Sequence, residues 1–234
     1  MAKKIAKKID KEVTTLITHT KPKAVVSEKF RGIRSNILFS TADAEVQTLL
    51  ITSDKPSSGK STVSANIAVT YAQAGFKTLL IDGDMRKPTQ HYIFNKNNIK
   101  GLSNVIINKS TFEDAVHSTE VLNLDVLTSG PIPPNPSELI GSSNMMDLFD
   151  ELKQQYDFIL IDTPPVNTVT DAQLFGELTK NAVYIIDVES NNKESVKKGK
   201  DLLEKSGTKI LGAVLNKAQL DKSSSSYYYY GEES

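Results

Sequence analysis

The sequence predicts an α/β fold, a mostly parallel central sheet with helices on both faces, and three observations carry that prediction. Short apolar runs alternate with helix-length segments along most of the chain, the pattern of strands joined by covering helices. Between the first run and the helix-like segment after it stands Gly59-Lys60-Ser61-Thr62, where a tight loop would aim backbone N–H groups at phosphate. Two further runs end in aspartate, at Asp82 and Asp162, at the strand ends where such sheets bind ligands.

Taken in order, residues 1–23 are lysine-rich and poor in bulky apolar side chains, which predicts a mobile basic arm. Ile5 and Ile9 sit at helical spacing among Lys3, Lys4, Lys7, Lys8 and Lys11, so a peripheral contact with anionic lipid stands as the alternative to a solvated tail. Ser27 to Ser40 reads as a helix, with Phe30, Ile33, Ile37 and Leu38 as its apolar stripe and Ser27 as its cap. Strands follow at Thr48 to Thr52, Thr78 to Ile81, Leu124 to Leu127, Phe158 to Ile161, Val183 to Val188 and Ile210 to Leu215; the short Leu124 run has the least determined place. The prolines between Gly130 and Pro136 forbid helix there, so the next helix begins near Asn135 or Ser137. One domain over residues 24–220 is expected, with residues 221–234 as a flexible low-complexity tail.

Composition narrows the function. Lys plus Arg equals Asp plus Glu at 28 each, which argues against nucleic-acid binding through a broadly basic surface. The chain has no cysteine, which excludes disulfides, thiolate zinc sites and iron–sulfur clusters and allows a reducing cytoplasm. The longest apolar runs are strand-sized, so any membrane association is expected to be peripheral.

The chemistry centres on the loop after the first strand. Asp54, Lys55, Pro56, Ser57, Ser58, Gly59, Lys60, Ser61 and Thr62 would cradle a nucleotide, with Lys60 on the outer phosphates and the Ser61 hydroxyl on Mg²⁺. Asp54 stands where the full phosphate-loop pattern has glycine, so the match is to its Gly-Lys-Ser-Thr end. Mg²⁺ prefers oxygen ligands and retains waters, so Asp82 and Asp162 are candidates to hold its shell beside Ser61. Asp84 would position substrate or cap a turn. Asn216, after the last strand, is a candidate for adenine recognition or a plain turn residue. Tyr227, Tyr228, Tyr229 and Tyr230 lie between four serines and Gly231-Glu232-Glu233. Four adjacent phenols on a tether read as phosphoacceptors, each phosphate adding about −1.5 to −2 charges. Glu28, Arg31 and Arg34 share one side of a helix, where they would pair within it or grip another subunit.

With Gly-Lys-Ser-Thr, Ile-Asp-Gly-Asp-Met-Arg-Lys-Pro at 81–88, Ile-Asp-Thr-Pro-Pro at 161–165 and the tyrosine tail, the chain resembles the bacterial tyrosine kinases that regulate capsular and exopolysaccharide synthesis. The resemblance runs from Glu28 to the tail. It implies the P-loop fold of the partitioning and cell-division ATPases, with Asp82 and Asp84 in a second Walker A motif and Asp162 in Walker B. It implies ATP and Mg²⁺ as cofactors, tyrosine as acceptor, and Asp82 or Asp84 as the base that takes its proton. Glu28-x-x-Arg31-x-x-Arg34 would serve a ring-shaped homo-oligomer in which one subunit's tail enters the next subunit's site. A separate transmembrane activator with a cytoplasmic tail would hold the kinase at the inner face of the membrane. The family usually has glycine where this chain has Ser57. Lys55 lies where the partitioning ATPases carry a signature lysine, so it would contact phosphate or stand as an exposed turn residue. A partitioning-type ATPase switch without kinase activity is the alternative.

Overall fold

The computed structural model describes residues 16–40 and 46–218. Seven strands form one sheet: β1 (Thr48–Ser53), β2 (Thr78–Asp82), β3 (Val116–Ser118), β4 (Leu124–Leu127), β5 (Phe158–Asp162), β6 (Asn181–Asp187) and β7 (Lys209–Asn216). Their spatial order is β3-β4-β2-β5-β1-β6-β7, parallel throughout except for the β3–β4 pair. The expected strands all form. β4 takes its place beside β2, and β3 is an addition.

Strand alternation divides the core into two layers. On β5, Phe158 and Leu160 pack with the Lys60–Gln73 helix on one face, while Ile159 and Ile161 pack with the Ser143–Gln155 and Asp171–Thr179 helices on the other. β1, β2 and β5 are buried along their whole length. Removing each such Leu or Ile from water contributes about 1.5–3 kcal/mol, so these strand ends are fixed points for a site. The Lys60–Gln73 helix is buried at every position from Val63 to Ala72. It lies between the sheet and the Val25–Leu38 helix, whose Arg34 donates from Nη1 to the Thr70 carbonyl at 2.6 Å.

Two expectations near the N-terminus are corrected. The arm does not run to residue 23, because Ile17–Thr20 is a helical turn docked on the core. Buried Thr18 donates from its backbone N and its hydroxyl to Asn66 Oδ1, at 3.0 and 2.8 Å. Residues 1–15 lie outside the described residues. Ser27 is not the helix cap: the helix begins at Val25, and the buried Ser27 hydroxyl donates to the carbonyls of Ile17 and Lys21. It ties the first turn to this helix instead. The tyrosine tail also lies outside the described residues.

Candidate active site

β1 delivers the chain to a loop whose shape is set at two positions. Gly59 has φ +85°, and a Cβ there would sit 2.2 Å from Asn216 Nδ2, so both the conformation and the close approach require glycine. Ser57 has φ +62°, a left-handed conformation that costs a non-glycine residue roughly 1–2 kcal/mol. That is the physical reason glycine suits this position. The strain is held by Lys217 Nζ, which donates to the Ser57 carbonyl at 3.0 Å and to Asp187 Oδ2 at 2.8 Å. Asn216 Nδ2 donates to the Ser58 carbonyl at 2.8 Å. Lys55 is no free turn lysine: its ammonium bonds the Ser190 carbonyl and hydroxyl and lies 4.0 Å from Asp187.

Three segments meet at the carboxyl edge of the sheet. Asp82 and Asp162 are register partners at the ends of β2 and β5, and both are fully buried. Lys60, the first residue of its helix, places Nζ 3.2 Å from Asp84 Oδ2 and 3.5 Å from Ser61 Oγ. Asp162 accepts from Ser64 Oγ at 3.3 Å and from Gln90 Nε2 at 2.8 Å. Asp82 Oδ2 accepts the backbone N–H groups of Thr89 and Gln90, each at 2.9 Å, whereas its buried Oδ1 has no partner among the described residues. Lys60, Ser61, Asp82, Asp84 and Asp162 are thus brought together. Gln90, which bridges Asp162 and the Ser61 carbonyl, was not foreseen; its position eight residues beyond Asp82 carries no pattern.

Electrostatics tighten the cluster. Burial and then the Asp162 charge push the Asp82 carboxyl up to about 8. Burial pushes Asp162 up as well, opposed by Lys60, Ser61 and Gln90. Burial alone would lower the Lys60 ammonium, but Asp162, Asp84 and Asp82 outweigh it and hold the group above its ordinary value. The lysine therefore stays charged where phosphate would arrive.

A cavity of about 420 Å³ opens on this cluster. Residues 46–205 match the AAA domain family. CapB of Staphylococcus aureus, assigned as a tyrosine-protein kinase, is 65% identical over 94% of this chain and 97% of its own length. The tyrosine-protein kinase YwqD of Bacillus subtilis is 45% identical over 92% of this chain and 91% of its own. The chain belongs to the capsule-related bacterial tyrosine-protein kinases. The crystal structure of the chimerical protein CapA2B2 superposes with a TM-score of 0.86 at 60% identity, covering 88% of this chain and 91% of that one. As a member of that family the chain is a P-loop enzyme that phosphorylates protein tyrosine, and this reading displaces the switch ATPase.

The residues present fit a magnesium nucleotide, which a kinase of this family uses. Ser61, Asp82 and Asp162 offer hard oxygen donors, and Asp82 Oδ1 is an acceptor without a partner among the described residues. Among the described residues no three His, Cys, Asp or Glu side chains form a metal cage. The remaining site candidates lie elsewhere. Arg31 pairs with Glu28 within its own helix and donates to the Pro22 carbonyl, and Arg34 reaches Thr70; none joins the cavity. No helix among the described residues is long and apolar enough to cross a membrane.

Proposed function

We propose that this kinase transfers the γ-phosphoryl group of ATP to Tyr227, Tyr228, Tyr229 and Tyr230 of a neighbouring copy within a ring, and that this self-phosphorylation regulates capsular or exopolysaccharide synthesis. The observation that carries the reading is the Lys60 ammonium at a helix N-terminus, 3.2 Å from Asp84 and held charged by three carboxylates at the sheet edge. The loop from Asp54 to Thr62 positions the polyphosphate through backbone N–H groups, and Lys60 moves from Asp84 onto charge developing at the phosphoryl group. That exchange frees Asp84 to accept the tyrosine proton; Asp82 is the other candidate base. Ser61, Asp82 and Asp162 would hold Mg²⁺, which neutralises phosphate charge when bound. Asn216 and Lys217 brace the loop, a role that the Asn216 bond to Ser58 supports.

The partner that completes the site is proposed to be a separate transmembrane protein with a cytoplasmic tail, and the kinase is placed in the cytoplasm at the inner membrane face. The solved relative CapA2B2 is a chimerical protein, which supports a kinase that works with a second polypeptide. Two variants test the function with γ-labelled ATP and mapping of labelled residues. Lys60→Met should lower transfer by roughly 10²–10³-fold while the protein stays folded. Replacing Tyr227, Tyr228, Tyr229 and Tyr230 by phenylalanine should abolish self-labelling and preserve ATP binding. Wild-type labelling of a folded Lys60→Met protein would refute the site, and wild-type labelling of the phenylalanine variant would move the acceptor elsewhere.

A further inference from the structure

We infer that Arg86 and Lys87 form a basic rim that selects the acceptor by binding carboxylates on the C-terminal side of the target tyrosine, Glu232 and Glu233 in this chain's own tail. The inference rests on the tyrosine-tail reading above and names what the site recognises in that tail. The cavity is lined by Lys60 and Ser61 from the phosphate loop, by Arg86 and Lys87 after β2, and by Pro164 and Pro165 after β5. Proline rings offer the apolar surface on which a phenol packs, while the basic pair supplies charge at the same cavity.

Arg86 is held ready for a ligand. Its Nε and Nη2 donate to the two oxygens of Asp171, at 2.9 and 3.1 Å, and Nη2 also donates to Ser137 Oγ at 3.1 Å. Asp171 is fully buried and takes a further bond from the Ser137 hydroxyl at 2.7 Å. The guanidinium is thereby fixed in orientation, yet the side chain is 38% exposed and Nη1 has no partner among the described residues. A pre-oriented guanidinium with spare donors binds a carboxylate at reduced entropic cost. Lys87 is anchored only through its backbone, whose N–H donates to Asp84 Oδ1 at 3.0 Å; its exposed ammonium forms no ion pair among the described residues.

The tail places its adjacent carboxylates on one side of the tyrosines, the nearest on the other side being Asp221, beyond Lys222 and the serines. Four serines precede the tyrosines, and Gly231, Glu232 and Glu233 follow them. In a peptide bound fully extended, at about 3.3 Å per residue, a carboxylate two positions after the acceptor would stand roughly 7 Å from it and one five positions after it roughly 17 Å. The rim should therefore favour Tyr230 over Tyr227 as the first acceptor.

The full chain with its four tail tyrosines changed to phenylalanine, supplied with ATP and magnesium, is offered two peptides. One has the sequence of residues 223–234, the other carries Glu232→Gln and Glu233→Gln. The acidic peptide should show a KM about fivefold lower, the size expected of two partly exposed ion pairs, and Tyr230 should label first. Lys87→Gln should erase part of that preference and leave kcat and the KM for ATP unchanged; Arg86→Gln should erase more. Arg86→Gln unpairs a buried aspartate, so Lys87→Gln decides the matter if that variant does not fold. Charge reversal, Lys87→Glu with a peptide carrying Glu232→Lys, should restore preference. Equal KM values for both peptides with unaltered Arg86 and Lys87 would overturn the assignment, as would variants that weaken both peptides equally or raise the KM for ATP. If neither peptide is labelled while ATP still turns over, the tail is not the acceptor, and the underlying reading fails with it.

Discussion

At the scale of single residues, the site trades stability for chemistry, and Asp82 shows the trade. Its carboxyl is fully buried and faces Asp162, which push it up to about 8. The unfolded chain releases that proton near the ordinary value of 3.8. The folded chain therefore binds more protons between these values, and Asp82 costs stability increasingly as pH rises from about 4 to about 8. Asp82→Asn keeps an acceptor for the Thr89 and Gln90 N–H groups and removes the charge. It should raise the Tm of the ligand-free protein at neutral pH, by roughly 2–4 °C for each kcal/mol relieved, with the difference shrinking on acidification. The same variant should lose magnesium-dependent transfer. Calorimetry in chelator and a labelling assay check the two halves; an unchanged or lower Tm at neutral pH would show that the buried carboxylate is not a cost.

At the scale of elements, the strands were legible because each is a dense apolar run, and burial of β1, β2 and β5 fixed both their ends and the aspartates that terminate them. β3 was not legible: Val116-His117-Ser118 has one apolar residue and pairs antiparallel at the sheet edge, with no buried position to mark it. The turn at Ile17–Thr20 was hidden by neighbouring lysines and is held by tertiary partners, Asn66 and Gln73 on Thr18 and Ser27 on Ile17. The same limit applied to the site. Lys60, Asp82 and Asp162 stand in motif positions, whereas Gln90, Asp187 and Lys217 act through contacts between segments distant in sequence. Asp187 ends β6, Lys217 follows β7, and together they pin Ser57. The Lys217 ammonium, against the cost of burial and with help from Ser190 and the Glu189 N–H, holds Asp187 down to about 2. A depressed carboxyl contributes stability above its ordinary value of 3.8 that is lost as pH falls toward about 2. Asp187→Asn should flatten that acid limb in urea midpoints measured across the range. A variant that loses stability with acid as steeply as the wild type would show that the lock carries none of it.

At the scale of the whole molecule, the proposed ring depends on Glu28, Arg31 and Arg34, and the fold separates their intersubunit role from their local one. Arg34 spans from its helix to the Thr70 carbonyl, so removing it unsettles the packing behind the phosphate loop as well as any interface. Glu28 is different. Its side chain is 52% exposed, and its one ion pair among the described residues is with Arg31 three residues away on the same helix. Such an exposed intrahelical pair contributes only about 0.3–0.5 kcal/mol, so Glu28→Ala should leave the Tm of the isolated subunit within a degree or two. Arginines of a second subunit that grip this carboxylate would lose their partner in that variant, and the ring needs every one of its contacts to close. Sedimentation with magnesium and ATP should therefore shift Glu28→Ala to monomer while its melting curve stays in place, whereas Arg34→Ala should lose both assembly and several degrees of Tm. If Glu28→Ala sediments as the wild type does, the pair belongs to the helix surface alone and the tail must reach its neighbour by another interface.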